Sequence, residues 1–122
     1  MAKILVVDDD KSIRMLYSLV FKEDGYEITI AENGHQAVES CRSECPDLVV
    51  LDILMPGIDG LEAMRQMRSI DPHIPMVLSS AYASYMEDFA SWLAAAYVIK
   101  SSDLAELKQS IRDLLKPGSS WG

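Results

Sequence analysis

Reactive side chains follow four short apolar segments of this sequence, each at the point where the segment ends. Two carboxylates follow the first segment, one follows the second, and a hydroxyl and an ammonium follow the other two: Asp8, Asp9, Asp52, Ser80 and Lys100. If the segments are neighbouring parallel strands, their carboxyl ends lie along one edge of one sheet. Carboxylates, a hydroxyl and an ammonium gathered at one edge are the groups of a metal-assisted phosphoryl site.

The segments that carry these residues alternate with helical patterns along the whole chain, which predicts five strand–helix units. Their apolar character is nearly continuous, and such strands are typical of a parallel sheet covered by helices on both faces. Right-handed crossovers would bring the first, third and fourth strands together, so that the loops after them converge. The predicted fold class is α/β, with a doubly wound parallel sheet.

Capping residues predict where the first two helices begin and end. Asp10 can cap a first helix that ends at Gly25. Asn33 followed by Gln36 is typical of the start of a second helix, which Pro46 ends. The apolar residues of the first helix recur at helical spacing and are expected to face the core. They are Ile13, Leu16, Tyr17, Val20 and Phe21.

Three further helices follow from the same patterns. Asp59 is expected to cap the third helix, and a fourth runs through the apolar residues between Tyr82 and Leu93. The last helix contains apolar positions from Leu104 to Leu115. Each would cover one face of the sheet.

The composition limits the class of protein. With 122 residues, of which 49% are hydrophobic and 25% charged, the chain is expected to form one soluble domain. Its net charge of −8 disfavours binding to nucleic acids and to anionic lipids. No apolar stretch approaches the roughly 18 residues of a membrane span, and no signal-peptide pattern is present. We therefore expect a cytoplasmic protein without membrane insertion.

The cysteines and histidines suggest no further chemistry. Cys41 and Cys45 lie four residues apart in a predicted helix, without the additional ligands that a zinc site needs. We expect them to be reduced, partly buried thiols. His35 and His73 stand beside loop residues and are expected to be exposed, without a functional role.

Four motifs can be compared with known families: VVDD at 6–9, LDILMPGIDG at 51–60, SA at 80–81 and YVIK at 97–100. Together they resemble the receiver domain of two-component response regulators, and the resemblance covers nearly the whole chain. It implies a CheY-like, flavodoxin-like (βα)5 fold whose five strands lie in the order 2-1-3-4-5.

The resemblance also implies a function. A receiver domain over residues 1–117, followed by a short tail at 118–122, would accept a phosphoryl group on Asp52 from a sensor histidine kinase or a histidine phosphotransfer protein. Such a domain is a signalling phosphoacceptor and not an enzyme, and it would act alone or be part of a longer protein. In this family the kinase docks on the first helix. The candidate contact residues are Ser12, Met15 and Leu16.

The metal ligands implied by the resemblance are oxygen atoms. Asp9, Asp52 and the main-chain carbonyl of Leu54 would bind the ion directly, and Asp8 would bind it mostly through water. Three adjacent carboxylates repel one another and destabilise their loops unless a cation binds. Mg²⁺ suits this site because it takes hard oxygen ligands and bridges carboxylates to a phosphoryl oxygen.

The remaining roles concern the response to phosphorylation. Lys100 would supply a second positive charge to the phosphoryl group, and Ser80 would donate a hydrogen bond to it. This bond would pull the loop of Ser80 inward. In the family, the inward shift lets the aromatic residue before the lysine rotate, and here that residue is Tyr97. The implied switch surface, formed by the fourth helix, fifth strand and fifth helix, would bind the downstream target and could also form a homodimer.

Two departures from the family pattern have consequences. The residue after the lysine is usually a proline on a cis bond, whereas this chain has Ser101, so the reach of Lys100 depends on how that bond is arranged. Leu54 and Tyr82 occupy positions that influence hydrolysis in the family. Neither side chain can act as a base, so a slow loss of the phosphoryl group is expected.

Two other classes of protein are open at this point. A haloacid-dehalogenase-like phosphohydrolase would need a second aspartate two residues after its nucleophile, and Leu54 stands there instead. A receiver-like module that binds a partner without phosphorylation is compatible with the missing proline, but the complete acidic set argues against it.

Overall fold

Five parallel strands form one sheet in the computed structural model, which describes residues 2–52, 60–80, 96–99 and 104–116. Along the chain the strands are β1 (Lys3–Val7), β2 (Glu27–Ala31), β3 (Leu48–Asp52), β4 (Met76–Ser80) and β5 (Ala96–Ile99). Their spatial order is β2-β1-β3-β4-β5, and all four neighbouring pairs are parallel. The predicted fold class and strand order are therefore confirmed.

Helices pack on both faces of this sheet. They are α1 (Lys11–Glu23), α2 (Gly34–Glu44), α3 (Gly60–Ile70) and the C-terminal helix (Ala105–Leu115). The C-terminal helix corresponds to the predicted last helix, whereas the predicted fourth helix falls at 81–95, outside the described residues. Within the part of the chain that the structure describes, no helix has the length and apolar character needed to cross a lipid bilayer.

The predicted boundaries of α1 are confirmed by its caps. The side chain of Asp10 accepts hydrogen bonds from the backbone N–H groups of Ser12 and Ile13, at 2.8 and 3.4 Å. At the other end, Gly25 has a φ of +95°, a left-handed conformation that residues with a Cβ rarely adopt. The chain can therefore leave α1 and enter β2 after a very short connection.

The start of α2 is capped as predicted, and the helix ends before Pro46 as predicted. The Asn33 side chain accepts from the N–H of Gln36 at 2.9 Å, and the Gln36 side chain accepts from the N–H of Glu32 at 2.9 Å. The helix ends at Glu44, and Cys45 follows in a left-handed conformation with φ of 48°. The expectation that Cys45 is a partly buried helical residue is wrong, because this conformation turns it out of the helix and exposes it.

Two hydrophobic layers enclose the sheet. One face of the strands packs with α2 and α3, where Ala37, Val38 and Cys41 are buried as predicted. The other face packs with α1 through Tyr17 and Phe21, and with the C-terminal helix through Leu107 and Ile111. Successive strand residues contribute to opposite layers, so a residue's position along its strand decides which helices it meets.

The inner face of α1 differs from the predicted one at two positions. Leu16 was expected in the core but is 41% exposed, whereas Arg14 is only 8% exposed. The buried residues Arg14, Tyr17 and Phe21 are spaced three and four apart, so they form one stripe along the helix. This stripe brings a guanidinium and a phenol against the sheet.

Candidate functional site

Three carboxylates come together at the carboxyl ends of β1 and β3. One side-chain oxygen from each of Asp8, Asp9 and Asp52 lies within 4.8 Å of the other two. Asp8 and Asp52 are 2% and 6% exposed, and Asp9 is exposed. This is the single group of three or more potential metal ligands among the described residues. The expectation that these acids meet at one edge of the sheet is confirmed.

The sheet register explains why the acids meet. Val7 at the end of β1 pairs with Leu51 in the neighbouring β3, so the next residues, Asp8 and Asp52, reach the edge side by side. Asp8 lies two residues after Val6, and Asp52 lies two residues after Val50. Val6 and Val50 belong to the layer beneath α1, and residues two apart in a strand point to the same face. Their carboxylates are thus placed on the α1 face of the sheet.

Backbone and side-chain contacts hold Asp8 in place. Its carboxylate accepts a hydrogen bond from the N–H of Asp10 at 2.9 Å, and its own N–H donates to the carbonyl of Ala31 at 3.2 Å. Its carbonyl accepts from Nη1 of Arg14 at 2.8 Å. Because both backbone groups and one carboxylate oxygen of Asp8 are bonded, its position is fixed before any ligand binds.

Arg14 is a site residue that the sequence analysis did not identify. Its guanidinium is nearly buried, bonds to the carbonyl of Asp8 and lies 3.8 Å from a carboxylate oxygen of Glu32. This positive charge beside three acids offsets part of their repulsion. The signal for it was its spacing from Tyr17 and Phe21 on one helix stripe, which an apolar pattern search overlooks.

The geometry of the three acids suits a small divalent cation. Oxygen ligands around an octahedral Mg²⁺ at ~2.1 Å lie about 3–4 Å apart. The carboxylate oxygens of the three acids lie up to 4.8 Å apart, which is close to the spacing that a single ion needs. Small rotations of the side chains would bring them to that spacing. Two buried carboxylates within 4.8 Å of each other also need a neutralising charge, which such an ion provides.

A buried hydroxyl pair lies next to the acids. Ser79, in β4, is the register partner of Asp52 and is 1% exposed. Its Oγ lies 3.3 Å from the hydroxyl oxygen of Tyr17, which is 2% exposed. Ser80, and not Ser79, is the hydroxyl residue singled out in the sequence, and Tyr17 is predicted there only as a core residue, so this contact is a feature that sequence reasoning missed.

The described residues include the predicted site only in part. Leu54, Tyr82 and Lys100 lie outside the described residues, as does the bond from Lys100 to Ser101. Ser80 and Tyr97 belong to β4 and β5 through their backbones, where they pair with Ile99 and Leu78. Their predicted contacts with a phosphoryl group stay predictions.

Exposed apolar side chains form a surface on α1 and the edge strand β2, which we call the α1–β2 surface. It is made by Met15, Leu16, Leu19 and Ile30, which are the large exposed hydrophobic side chains among the described residues. A groove of about 430 Å³ runs between them and is also lined by Lys22. Apolar side chains grouped in this way mark binding surfaces for other proteins.

The cysteines and histidines stand apart from this site. Burial raises the pKa of the Cys41 thiol, and the nearby carboxylate of Asp71 raises it further. This thiol therefore stays protonated and unreactive at neutral pH. His35 and His73 are both exposed, as expected, and His73 contacts the Asp71 carboxylate only through its backbone N–H, at 3.1 Å.

Comparisons with known proteins agree on one family. The family model for the response regulator receiver domain matches residues 4–112. Sporulation initiation phosphotransferase F of Bacillus subtilis is 36% identical over 115 residues, which are 93% of each chain. Response regulator MprA of Mycolicibacterium vanbaalenii is 39% identical over 116 residues, and the present chain spans about half of its length.

Solved structures give the same result. Response regulator TrrA of Thermotoga maritima, in complex with Mg²⁺-BeF, is 45% identical, with a TM-score of 0.89 over 94% of this chain and 100% of that one. A chain from the complex of histidine kinase ThkA with TrrA is also 45% identical, with a TM-score of 0.87 over 95% of this chain and 100% of that one.

Proposed function

This chain belongs to the response regulator receiver domain family, and on that basis we propose that its Asp52 carboxylate accepts a phosphoryl group from a histidine kinase or a histidine phosphotransfer protein. The observation that carries the proposal is the meeting of three carboxylate oxygens within 4.8 Å at the carboxyl edge of the sheet. The similarity to TrrA, whose structure contains Mg²⁺-BeF, supports the choice of metal.

The transfer step follows from the proposed roles. An oxygen of Asp52 attacks the phosphorus atom, a new O–P bond forms, and the P–N bond of the donor phosphohistidine breaks with its electron pair leaving on the nitrogen. Mg²⁺ held directly by Asp9, Asp52 and the carbonyl of Leu54, and mostly through water by Asp8, would neutralise charge on the phosphoryl oxygens. Lys100 would add a second positive charge.

Phosphorylation would then alter a surface and not start a catalytic cycle. Ser80 would move toward the new phosphoryl group, Tyr97 would rotate, and the face of the predicted fourth helix, β5 and the C-terminal helix would change its affinity for a downstream protein or for a second copy of the chain. We also propose a cytoplasmic location and no direct contact with nucleic acid, in keeping with the net charge of −8. The alternative of a module that is never phosphorylated has no observation in its favour.

The decisive experiment is chemical modification with residue mapping. The purified protein is incubated with acetyl phosphate and Mg²⁺, the acyl phosphate is trapped by borohydride reduction, and the modified peptide is identified by mass spectrometry. We expect modification at Asp52 that disappears when EDTA replaces Mg²⁺. Modification at another residue, or an unmodified protein, would refute the proposal.

We propose the α1–β2 surface as the docking surface for the kinase, since it is apolar and exposed, and since Arg14, which also lines its groove, bonds to the carbonyl of Asp8. The double substitution Met15→Ala and Leu19→Ala is expected to slow phosphorylation by the kinase at least about tenfold, because apolar anchors dominate binding energy at such interfaces. The rate with acetyl phosphate should stay within about twofold and serves as the control for an intact site. Equal losses with both donors would contradict a docking role.

The lifetime of the phosphorylated form is a separate proposal. Leu54 and Tyr82 cannot activate a water molecule, so we propose slow hydrolysis. Replacing Leu54 by Asn and Tyr82 by Glu should speed the loss of the phosphoryl group about tenfold or more, since these side chains can orient water. The measurement is the decay of the acyl phosphate after removal of the donor. An unchanged lifetime would count against the assigned roles.

A further inference from the structure

The hydrogen bond between Tyr17 and Ser79 places polar atoms in a layer that is otherwise apolar. The two side chains are 2% and 1% exposed, and their hydroxyl oxygens are 3.3 Å apart. The surrounding layer contains residues such as Val50, Val77 and Phe21. Burying hydroxyl groups costs free energy unless their hydrogen bonds are satisfied. Two apolar side chains could fill the same space without this cost, which points to a role for the hydroxyl groups.

The position of the pair relative to Asp52 suggests that role. Ser79 is the direct register partner of Asp52 in the neighbouring strand, and adjacent strands lie roughly 4.8 Å apart. Val50 and Val77 both belong to the layer under α1, so Asp52 and Ser79, two residues further along, are placed on that same face. The side chains of Ser79 and Asp52 therefore start side by side on one face of the sheet, and in this structure the Ser79 hydroxyl contacts Tyr17.

The contacts of α1 bracket Asp52 from both sides. Arg14 donates to the carbonyl of Asp8 at the end of β1, and one helical turn later Tyr17 contacts Ser79 in β4. The strand between β1 and β4 in the sheet is β3, which carries Asp52. One helix thus holds the backbone and side chains on either side of the proposed acceptor.

Counting hydrogens shows that the pair has one hydrogen to spare. Two hydroxyl groups carry two hydrogens, and the contact between them uses one. Either hydroxyl could donate in this contact, and the phenol is the more acidic of the two, which favours the arrangement in which Tyr17 donates to Ser79. The hydrogen of Ser79 is then left for another acceptor, and a carboxylate is the strongest acceptor a hydroxyl can meet.

We propose that Tyr17 and Ser79 are positioning residues for phosphoryl acceptance: Tyr17 holds the Ser79 side chain beside Asp52, and during the reaction the Ser79 hydroxyl turns to donate to the Asp52 carboxylate and fixes its orientation toward the incoming phosphorus. This inference rests on the proposed role of Asp52. It assigns to α1 a second contribution to the reaction, separate from docking of the kinase, since the hydroxyl pair acts from the inner side of the helix.

The test is the rate constant of phosphorylation by acetyl phosphate at saturating Mg²⁺. Tyr17→Phe and Ser79→Ala are each expected to lower it about threefold to tenfold, the effect of one hydrogen bond on a reacting group. The double variant should be no slower than the slower single variant, because both changes interrupt the same contact. Ser79→Thr keeps the hydroxyl and should restore the rate to within about twofold of the native protein.

Tyr26→Phe is the matched control. Tyr26 packs against the same layer but precedes β2, whose amino end lies at the opposite edge of the sheet from the acids. The rate constant of phosphorylation of the Tyr26→Phe variant should equal that of the native protein. Thermal unfolding of each variant, followed by circular dichroism, corrects the rates for the folded fraction, and Tyr17→Phe retains the ring and its packing if Ser79→Ala folds poorly.

The outcomes separate this inference from the proposed function. Rates for Tyr17→Phe and Ser79→Ala within twofold of the native protein, or losses that multiply in the double variant, overturn the positioning role and leave Asp52 as acceptor. If these variants unfold more easily but are phosphorylated at the native rate, the contact between Tyr17 and Ser79 is structural only, which also overturns the positioning role. A native protein that acetyl phosphate does not modify at Asp52 overturns both.

Discussion

Asp52→Asn should abolish phosphorylation, with a loss of at least about 100-fold in the modified fraction, because an amide oxygen is a far weaker nucleophile than a carboxylate. The side chain keeps its size, so the buried site at the end of β3 should stay folded. The measurement is incorporation of phosphate from acetyl phosphate, followed by mass spectrometry of the intact protein.

The control for this variant is Asp113→Asn, which changes an exposed aspartate that pairs with Lys116 on the C-terminal helix. It removes the same charge far from the acids and should leave incorporation unchanged. Undiminished incorporation in Asp52→Asn would show that the acceptor is a different residue. Equal losses in both variants would show that the effect comes from net charge.

Asp8→Asn is expected to weaken Mg²⁺ binding about tenfold to 100-fold, the usual effect of changing a group that acts on a metal through bound water. The amide oxygen can still accept the 2.9 Å hydrogen bond from the N–H of Asp10, so the local backbone should be retained. Phosphorylation should slow at low Mg²⁺ concentration and recover when the concentration is raised. Isothermal titration with Mg²⁺ gives the affinity directly.

The same substitution should stabilise the metal-free protein. Asp8 and Asp52 are both nearly buried, and their oxygens lie within 4.8 Å, so removing one negative charge relieves repulsion worth about 3–4 kcal/mol at an effective dielectric constant near ~20. Urea unfolding in EDTA measures this gain. Addition of Mg²⁺ should remove part of this gain, because an ion at ~100 times the native Kd adds about 2.7 kcal/mol to the native protein and only about 0.4–1.4 kcal/mol to a variant that binds it about 10 to 100 times more weakly.

Asp47→Asn is the control for Asp8→Asn. Asp47 precedes β3, at the opposite end of that strand from Asp52, and accepts the N–H of Lys3 at 2.8 Å. Its substitution should change neither Mg²⁺ affinity nor the effect of Mg²⁺ on unfolding. If Asp8→Asn bound Mg²⁺ with native affinity, Asp8 would have no part in the metal site.

The fold and the acidic cluster were predictable because both depend on local patterns. Strand ends, the caps at Asp10 and Asn33 and the left-handed Gly25 are each decided by a few neighbouring residues. Parallel strands then share their carboxyl edge by necessity, which brings Asp8 and Asp52 together without further information. The order of the strands came from the family resemblance and agrees with the observed sheet.

The features that were missed depend on tertiary contacts. The burial of Arg14 depends on a carbonyl at the end of β1, and the pairing of Tyr17 with Ser79 depends on how α1 crosses the sheet. Neither contact has a signature within a window of sequence. Leu16 follows the apolar spacing of α1 yet is exposed, since the stripe that meets the sheet is rotated toward Arg14. The exposure of Cys45 follows from the left-handed turn that ends α2.

The acids of the site come from β1 and β3, which are joined in the sheet only after the chain has passed through α1, β2 and α2. In an unfolded chain these side chains are far apart, so the pocket forms only with the native sheet. Acquisition of the acyl phosphate is therefore also an assay of folding: during refolding from urea, chains should become competent for modification when β1 and β3 pair, and not when their helices first appear.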